Sequence, residues 1–206
     1  MYDYRLYLVT DEHQDIDQLE RVIREAISGG VTMVQLREKH GDIRAFIQRA
    51  EAIKPMLQAA GIPLIINDRV DVALAVDADG VHLGQSDMPA DVARRLIGDD
   101  KILGLSVENE QQLEAAQLLP LDYLGLSAIF PTPTKTDTVY AWGLEGLAKA
   151  SAFSQLPLVA IGGINESNIR AVVEAGADGI ALVSAICHAD SPKDASQQLL
   201  ALIDGN

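Results

Sequence analysis

Gln35, Arg37 and Lys39 stand at alternate positions, and two aspartates, Asp68 and Asp87, each follow a short apolar run. In an extended segment, alternation puts Gln35, Arg37 and Lys39 on one face, opposite Val34 and Leu36. Two cations and an amide turned inward are costly unless something anionic is held there. Carboxylates from adjacent segments suit Mg²⁺, which takes oxygen ligands and keeps positions for substrate phosphate. Arg37, Lys39 and Lys135 would neutralise a diphosphate around that metal. A diphosphate clamped this way is a good leaving group, because the charge that develops as its bond breaks is already compensated. Gly163, in the turn Gly162-Gly163, and the pair Val183–Ser184 form a candidate seat for a second phosphate on backbone N–H groups. These types in this pattern point to transfer of a group from a diphosphate ester to a phosphorylated acceptor.

Blander readings stand beside these. Arg37 and Lys39 could pair with Glu38 or Asp42 on the surface. Asp68 could pair with Arg69, and Asp87 could cap a helix starting near Pro89. The Gly-Gly turn could do no more than lead into a helix capped by Asn165.

Elements must bring these residues together. Eight short apolar runs read as strands: Arg5–Thr10, Met33–Glu38, Pro63–Asn67, Gly80–Leu83, Lys101–Val107, Tyr123–Ile129, Leu158–Gly162 and Ile180–Ser184. Between them apolar residues recur at helical spacing, as in Ile16, Leu19, Val22, Ile23, Ala26 and Ile27, or Ile43, Phe46, Ile47, Ala50, Ile53 and Leu57. Ala195, Leu199, Leu202 and Ile203 repeat the pattern near the end. Turns entering strands resemble one another: Ser-Gly-Gly-Val-Thr-Met, Val-Asp-Ala-Asp-Gly-Val and Ala-Gly-Ala-Asp-Gly-Ile. Strand alternating with helix implies a parallel sheet covered by helices. Eight units in 206 residues fit a compact (β/α)₈ TIM barrel with short loops, a single domain over 1–206. An open doubly wound sheet is the alternative architecture. In a barrel, the polar residues named above, with Asn67 and Ser106, all fall at carboxyl ends of strands, where chemistry is housed. The polar segment 131–142, with two prolines, four threonines and Lys135, reads as a closing lid or an ornate surface loop.

Composition narrows the rest. Thirty acidic against sixteen basic side chains give a formal net charge of −14. That disfavours nucleic acid, whose phosphates are held by Lys and Arg, but a small phosphorylated ligand needs only a few local donors. Cys187 is the one cysteine, so no intrachain disulfide framework or Cys-based metal cluster is expected. His82 reads as a packed, hydrogen-bonded side chain; His13, His40 and His188 lack zinc spacing. The N-terminus lacks the basic start and apolar run of a signal peptide, and no run approaches the roughly 18 apolar residues of a membrane span. The expectation is a cytoplasmic protein acting on small phosphorylated molecules, with no nucleic-acid or membrane partner.

The runs LYLVTD (6–11), VQLREK (34–39), INDRVDV (66–72), GVHLGQSDMP (80–89), FPTPTK (130–135), GLEGL (143–147), AIGGI (160–164) and ADGIALVSAI (177–186) resemble the thiamine-phosphate synthase family. Together they span the chain in the family's order. The resemblance implies a TIM barrel that joins hydroxymethylpyrimidine diphosphate to a thiazole phosphate, releasing pyrophosphate and thiamine phosphate. It implies that Gln35, Leu36, Arg37, Glu38, Lys39, Asn67, Ser106 and Lys135 hold the pyrimidine diphosphate. Asp68 and Asp87 would bind Mg²⁺. Thr132, Pro133 and Thr134, with Gly163, Val183 and Ser184, would hold the thiazole phosphate. The implied mechanism is dissociative: pyrophosphate leaves, and the thiazole nitrogen captures a pyrimidine methylene cation. No protein nucleophile or dedicated base is then required. Lys135, with Arg37 and Lys39, would be the catalytic side chains. Such barrels often form homo-oligomers. The chain departs from the pattern at Val107-Glu108 and at Ser127-Ala128. The competing readings are a thiazole tautomerase-like isomerase, which needs no metal-bound diphosphate, and a thiamine-phosphate binding protein without turnover.

Overall fold

A computed structural model describes residues 2–131 and 141–205. Eight parallel strands close into a barrel in sequence order, which decides for the barrel over the open sheet. They are β1 (Leu6–Val9), β2 (Met33–Leu36), β3 (Leu64–Asn67), β4 (Gly80–Leu83), β5 (Ile102–Val107), β6 (Tyr123–Ser127), β7 (Leu158–Ile161) and β8 (Gly179–Leu182). Helices follow the strands: α1 (Ile16–Ser28), α2 (Ile43–Ala60), α3 (Val70–Ala75), α4 (Ala90–Ile97), α5 (Glu110–Ala116), α6 (Gly143–Phe153), α7 (Ile169–Glu174), then α8 (Ser184–Cys187) and α9 (Pro192–Asp204).

Strand alternation sorts the apolar residues into two cores. Outward positions such as Leu8, Val34, Leu36, Leu64, Ile66, Val81 and Leu124 pack with the buried stripes of the helices. Inward positions, among them Tyr7, Met33, Ile65, Ile102, Tyr123 and Val159, fill the barrel itself. At about 25 cal/mol per Å² of apolar surface removed from water, this double burial is the main term favouring the fold. Helix ends follow the local chemistry. Asp15 and Gln18 form a reciprocal capping box at the start of α1, and the Asp42 side chain accepts from Ala45 N at the start of α2. The left-handed Gly61 then stops α2 without the penalty a Cβ would bring.

The similar turns noted in the sequence have a common task. Thr32 Oγ1, just before β2, accepts the N–H of Leu6 at 3.1 Å. Asp79 Oδ2, just before β4, accepts that of Leu64 at 2.8 Å. Asp122 Oδ2 accepts from Leu103 at 2.7 Å, and Asp178 Oδ2 from Leu158 at 2.8 Å. Each odd strand therefore has its first turn pinned by the residue that precedes the next even strand. This stapling lies at the amino ends of the strands, the stabilising face of such barrels, and leaves the carboxyl ends free for chemistry.

Strand limits differ from the sequence reading by one or two residues. The sixth run was expected to extend to Ile129, and the regular ladder stops at Ser127. The chain nevertheless stays beside β7, with Ile129 N–H donating to the Ile161 carbonyl and Phe130 N–H to that of Gly162, both at 3.0 Å. The expected lid (131–142) falls largely outside the described residues.

Candidate active site

At the end of β2 the backbone alternation separates the motif into two sets. Gln35 is buried inside the barrel, and its Nε2 donates to Tyr7 Oη at 3.1 Å. Leu36 points the other way, wholly buried among the helices. Glu38 bonds Arg49 of α2 at 2.7 Å; burial raises its proton affinity while that guanidinium lowers it, with the net shift upward. Leu36 and Glu38 therefore have only backbone groups to offer the mouth. Arg37 and Lys39 follow the end of β2. Arg37 is half-buried, its N–H donates to Thr10 Oγ1 at 3.0 Å, and its guanidinium has no partner among the described residues. Lys39 Nζ is ion-paired with the Asp68 carboxylate of the next strand. The alternative surface pairing of these cations with Glu38 or Asp42 does not occur among the described residues, since Glu38 is bonded to Arg49 and Asp42 caps α2.

Asp68 follows β3 directly, with φ +62° and its N–H donating to the His82 carbonyl at 2.8 Å. A left-handed backbone at a residue with a side chain is strained and is held only by its surroundings. Asp87 closes the turn after β4, accepting the Gly84 N–H at 2.7 Å. A Cβ at position 84 would lie 2.9 Å from that same oxygen, so a larger residue there would displace the Asp87 carboxylate. Burial pushes the Asp87 carboxyl up, and the Asp68 carboxyl beside it pushes it further. Neither aspartate has the structural role considered for it. Arg69 binds Asp71 instead of Asp68, and α4 begins after Pro89 with no side-chain cap. Two adjacent carboxylates with an ammonium drawn onto them form an all-oxygen donor set suited to a hard divalent cation. They border a cavity of ≈ 220 Å³ that Lys39, His40 and Arg69 also line. Among the described residues no group of three or more His, Cys, Asp or Glu side chains could hold a metal, so such a cation would rely on these two and on ligands from substrate or water. Asn67, at the end of β3, is buried with its Nδ2 unpartnered among the described residues, which makes it a donor in waiting beside the pair.

Ser106 Oγ, near the end of β5, shares a hydrogen bond with His82 Nε2 at 2.9 Å. On the far side of the mouth, Gly162 and Gly163 have φ of +100° and +68°. A Cβ on Gly163 would come within 2.9 Å of the Phe130 carbonyl oxygen, so this turn requires glycine. The helix after it starts at Ile169, with Asn168 in the cap position; Asn165 instead closes the turn on Ser167. Val183 and Ser184 lead from β8 into the one-turn helix α8. The N–H groups of Gly163 and Ser184 find no partner among the described residues. Thr132, Pro133, Thr134 and Lys135 lie outside the described residues.

Two acids after β1 were not singled out from the sequence. Glu12 accepts the N–H groups of Lys39 and His40 at 2.9 and 2.8 Å and the His40 ring at 3.1 Å, fixing the loop that carries Lys39. Asp11 bonds His188, beyond α8, at 2.6 Å. The signal available was their place directly after the LYLVT run, at a strand's carboxyl end.

A family model described as thiamine monophosphate synthase matches residues 6–186. A thiamine-phosphate synthase of Vibrio campbellii is 66% identical over 98% of the chain and 100% of its own length. One from Vibrio parahaemolyticus is 65% identical over 99% and 100%. The solved thiamine phosphate pyrophosphorylase of Pyrococcus furiosus superposes with a TM-score of 0.89 at 37% identity, covering 98% of this chain and 96% of that one.

Proposed function

The chain belongs to the thiamine monophosphate synthase family, and from that premise we propose how its barrel mouth makes thiamine phosphate. The substrates are hydroxymethylpyrimidine diphosphate and 4-methyl-5-(2-phosphooxyethyl)thiazole. The observation that carries the reading is the convergence of Asp68, Asp87 and Lys39 at neighbouring strand ends, with the Arg37 guanidinium uncommitted among the described residues. Asp68 and Asp87 would hold Mg²⁺, which when bound offsets charge on the departing diphosphate.

Gln35, Asn67 and Ser106 bind and orient the pyrimidine diphosphate, with the backbone at Leu36 and Glu38. Arg37, Lys39 and Lys135 receive its phosphate oxygens. Lys135 enters on the sequence motif alone. The bond between the pyrimidine methylene carbon and the diphosphate oxygen breaks, and the electron pair leaves with pyrophosphate. The thiazole nitrogen lone pair then closes the new C–N bond. No proton changes hands, so no base is needed. Stabilising the leaving charge is the catalysis, with Arg37, Lys39 and Lys135 as the catalytic residues.

The thiazole phosphate sits on Gly163, Val183 and Ser184, with Thr132, Pro133 and Thr134. In barrels of this kind the loops after the seventh and eighth strands and a short extra helix commonly seat phosphate, and α8 is such a helix. Residues 1–206 act as one domain on small phosphorylated substrates, in the cytoplasm. No helix among the described residues is long and apolar enough to cross a membrane.

The test mixes the folded protein with Mg²⁺ and both substrates. Equal amounts of thiamine phosphate and pyrophosphate support the reading. Isomerisation of the thiazole alone would replace it with an isomerase, and binding of thiamine phosphate without turnover would replace it with a carrier.

A further inference from the structure

Five polar side chains from five strands form a continuous chain of hydrogen bonds through the barrel interior. Gln35 Nε2 reaches Tyr7 Oη at 3.1 Å, and Tyr7 Oη reaches Tyr123 Oη at 2.9 Å. Tyr123 Oη reaches His82 Nδ1 at 2.8 Å, and His82 Nε2 reaches Ser106 Oγ at 2.9 Å. Both ends are residues assigned above to the pyrimidine diphosphate; the three in the middle have no such assignment. Tyr7 and Tyr123 are almost wholly buried and His82 is buried as well.

The barrel makes room for this chain. A Cβ on Gly104 would collide with the Tyr123 ring, and one on Gly125 would lie 3.0 Å from His82 Cε1. The rings of His82 and Tyr123 stack at 5.4 Å. A glycine within a strand gives up packing and backbone entropy, so two of them facing these rings mark space kept for the chain.

Counting protons fixes its direction. The Gln35 amide nitrogen can only donate, so it uses Tyr7 oxygen as acceptor. Tyr7 then has one proton and one remaining neighbour, and an unspent buried hydroxyl proton costs about 1–3 kcal/mol. Tyr7 therefore donates to Tyr123. Tyr123, its oxygen already accepting, donates in turn to His82 Nδ1. A neutral imidazole that accepts at Nδ1 carries its proton at Nε2, and so donates to Ser106 Oγ. Burial pushes both phenols far up, so the two protons stay in place at working pH.

We propose that Tyr7, Tyr123 and His82 are positioning residues that make Ser106 Oγ an acceptor on its inner side and so turn its one proton outward, as a hydrogen-bond donor to the pyrimidine diphosphate. The inference rests on the reading of Gln35 and Ser106 as contacts to that substrate. The relay thus keeps the Ser106 proton available for an acceptor atom on the ligand, whereas the opposite imidazole tautomer would draw that proton inward onto His82 Nε2.

The test has a part that needs no turnover. In ¹⁵N-histidine-labelled wild-type protein, the His82 ring is identified as the one shielded from a soluble paramagnetic reagent, since His13, His40 and His188 are exposed. The expected signature is a single tautomer, protonated at Nε2 and bare at Nδ1. A ring protonated at Nδ1, or at both nitrogens, overturns the proposal. In Tyr123→Phe the expectation is that KM for the pyrimidine diphosphate rises about tenfold, the usual size for one lost hydrogen bond, while KM for the thiazole phosphate stays put. Tyr7→Phe, which cuts the chain further from the ligand, moves the same constant in the same direction and serves if Tyr123→Phe does not fold. Unchanged KM in a folded variant, or both constants shifted alike, overturns it as well. Wild-type protein that makes no thiamine phosphate would sink the functional reading, and the nitrogen spectrum would still decide the direction of the relay.

Discussion

The carboxyl of Asp87 lies against that of Asp68, one strand away, and its proton affinity rises through burial and this like-charged neighbour. Such a pair is costly to hold ionised without a cation. Lys39 Nζ already stands on Asp68, which shows the local field the two acids create. The chain as a whole carries −14, yet in the proposed site Lys39 stands on Asp68, with Arg37 two residues before it, around the seat proposed for one more positive ion. An acidic protein can bind a diphosphate on those terms.

Arg37 is the simplest side chain to test, because its guanidinium bonds nothing among the described residues. Arg37→Gln should lower kcat/KM for the pyrimidine diphosphate by about 10²–10³-fold, the usual loss when one donor to a developing anion is removed. Stability should stay within about 0.5 kcal/mol of wild type. Steady-state kinetics and a urea melt measure both. A large loss of stability would mean that Arg37 serves the fold.

The staples at the bottom of the barrel predict the opposite split. Asp178→Ala leaves the N–H of Leu158, at the start of β7, without its acceptor. That should cost about 1–3 kcal/mol, read as a Tm drop of about 2–4 °C per kcal/mol. The kinetic constants should not move.

Gly104→Ala puts a methyl group into the space of the Tyr123 ring. Overpacking of this kind should destabilise by about 1–3 kcal/mol. A denaturant titration with an unchanged midpoint would show that the ring can retreat.

Cys187 is buried, with its thiol pushed up to about 12 by that burial. Native protein at pH 8 should leave a thiol reagent unreacted, and unfolding in urea should release one equivalent. The sign of the linkage follows: above about 9 the unfolded chain sheds this proton and the native chain does not. The contribution therefore lowers stability as pH rises from about 9 towards about 12. A thiol that reacts at once at pH 8 contradicts this.

The strands were legible in the sequence because each is a short apolar run between turns, and the barrel follows from their number and spacing. The alternation of Gln35, Arg37 and Lys39 was legible as a pattern, and it placed Gln35 inside the barrel; β2 ends at Leu36, so Arg37 and Lys39 fall past the strand whose period the pattern assumed. Exact ends were not legible: β8 starts at Gly179 and stops at Leu182, because Val183 already turns into α8. That helix has four residues, too few to show a period. The reason for Thr32, Asp79 and Asp178 in the similar turns needed the three-dimensional pairing of neighbouring strands. Tyr7 and Tyr123 read as core, and their hydroxyl contact, across 116 positions of sequence, has no local signature. His82 read correctly as packed and bonded, without its partners being visible.

The Mg²⁺ dependence of turnover in wild type and in the Asp68→Asn/Asp87→Asn double variant tests the central claim most directly. The double variant should fold, lose at least about 10²-fold in kcat/KM, and no longer respond to added Mg²⁺, since the carboxylates proposed to hold the cation are gone. Wild-type turnover, or a wild-type Mg²⁺ response, in that variant would contradict the account.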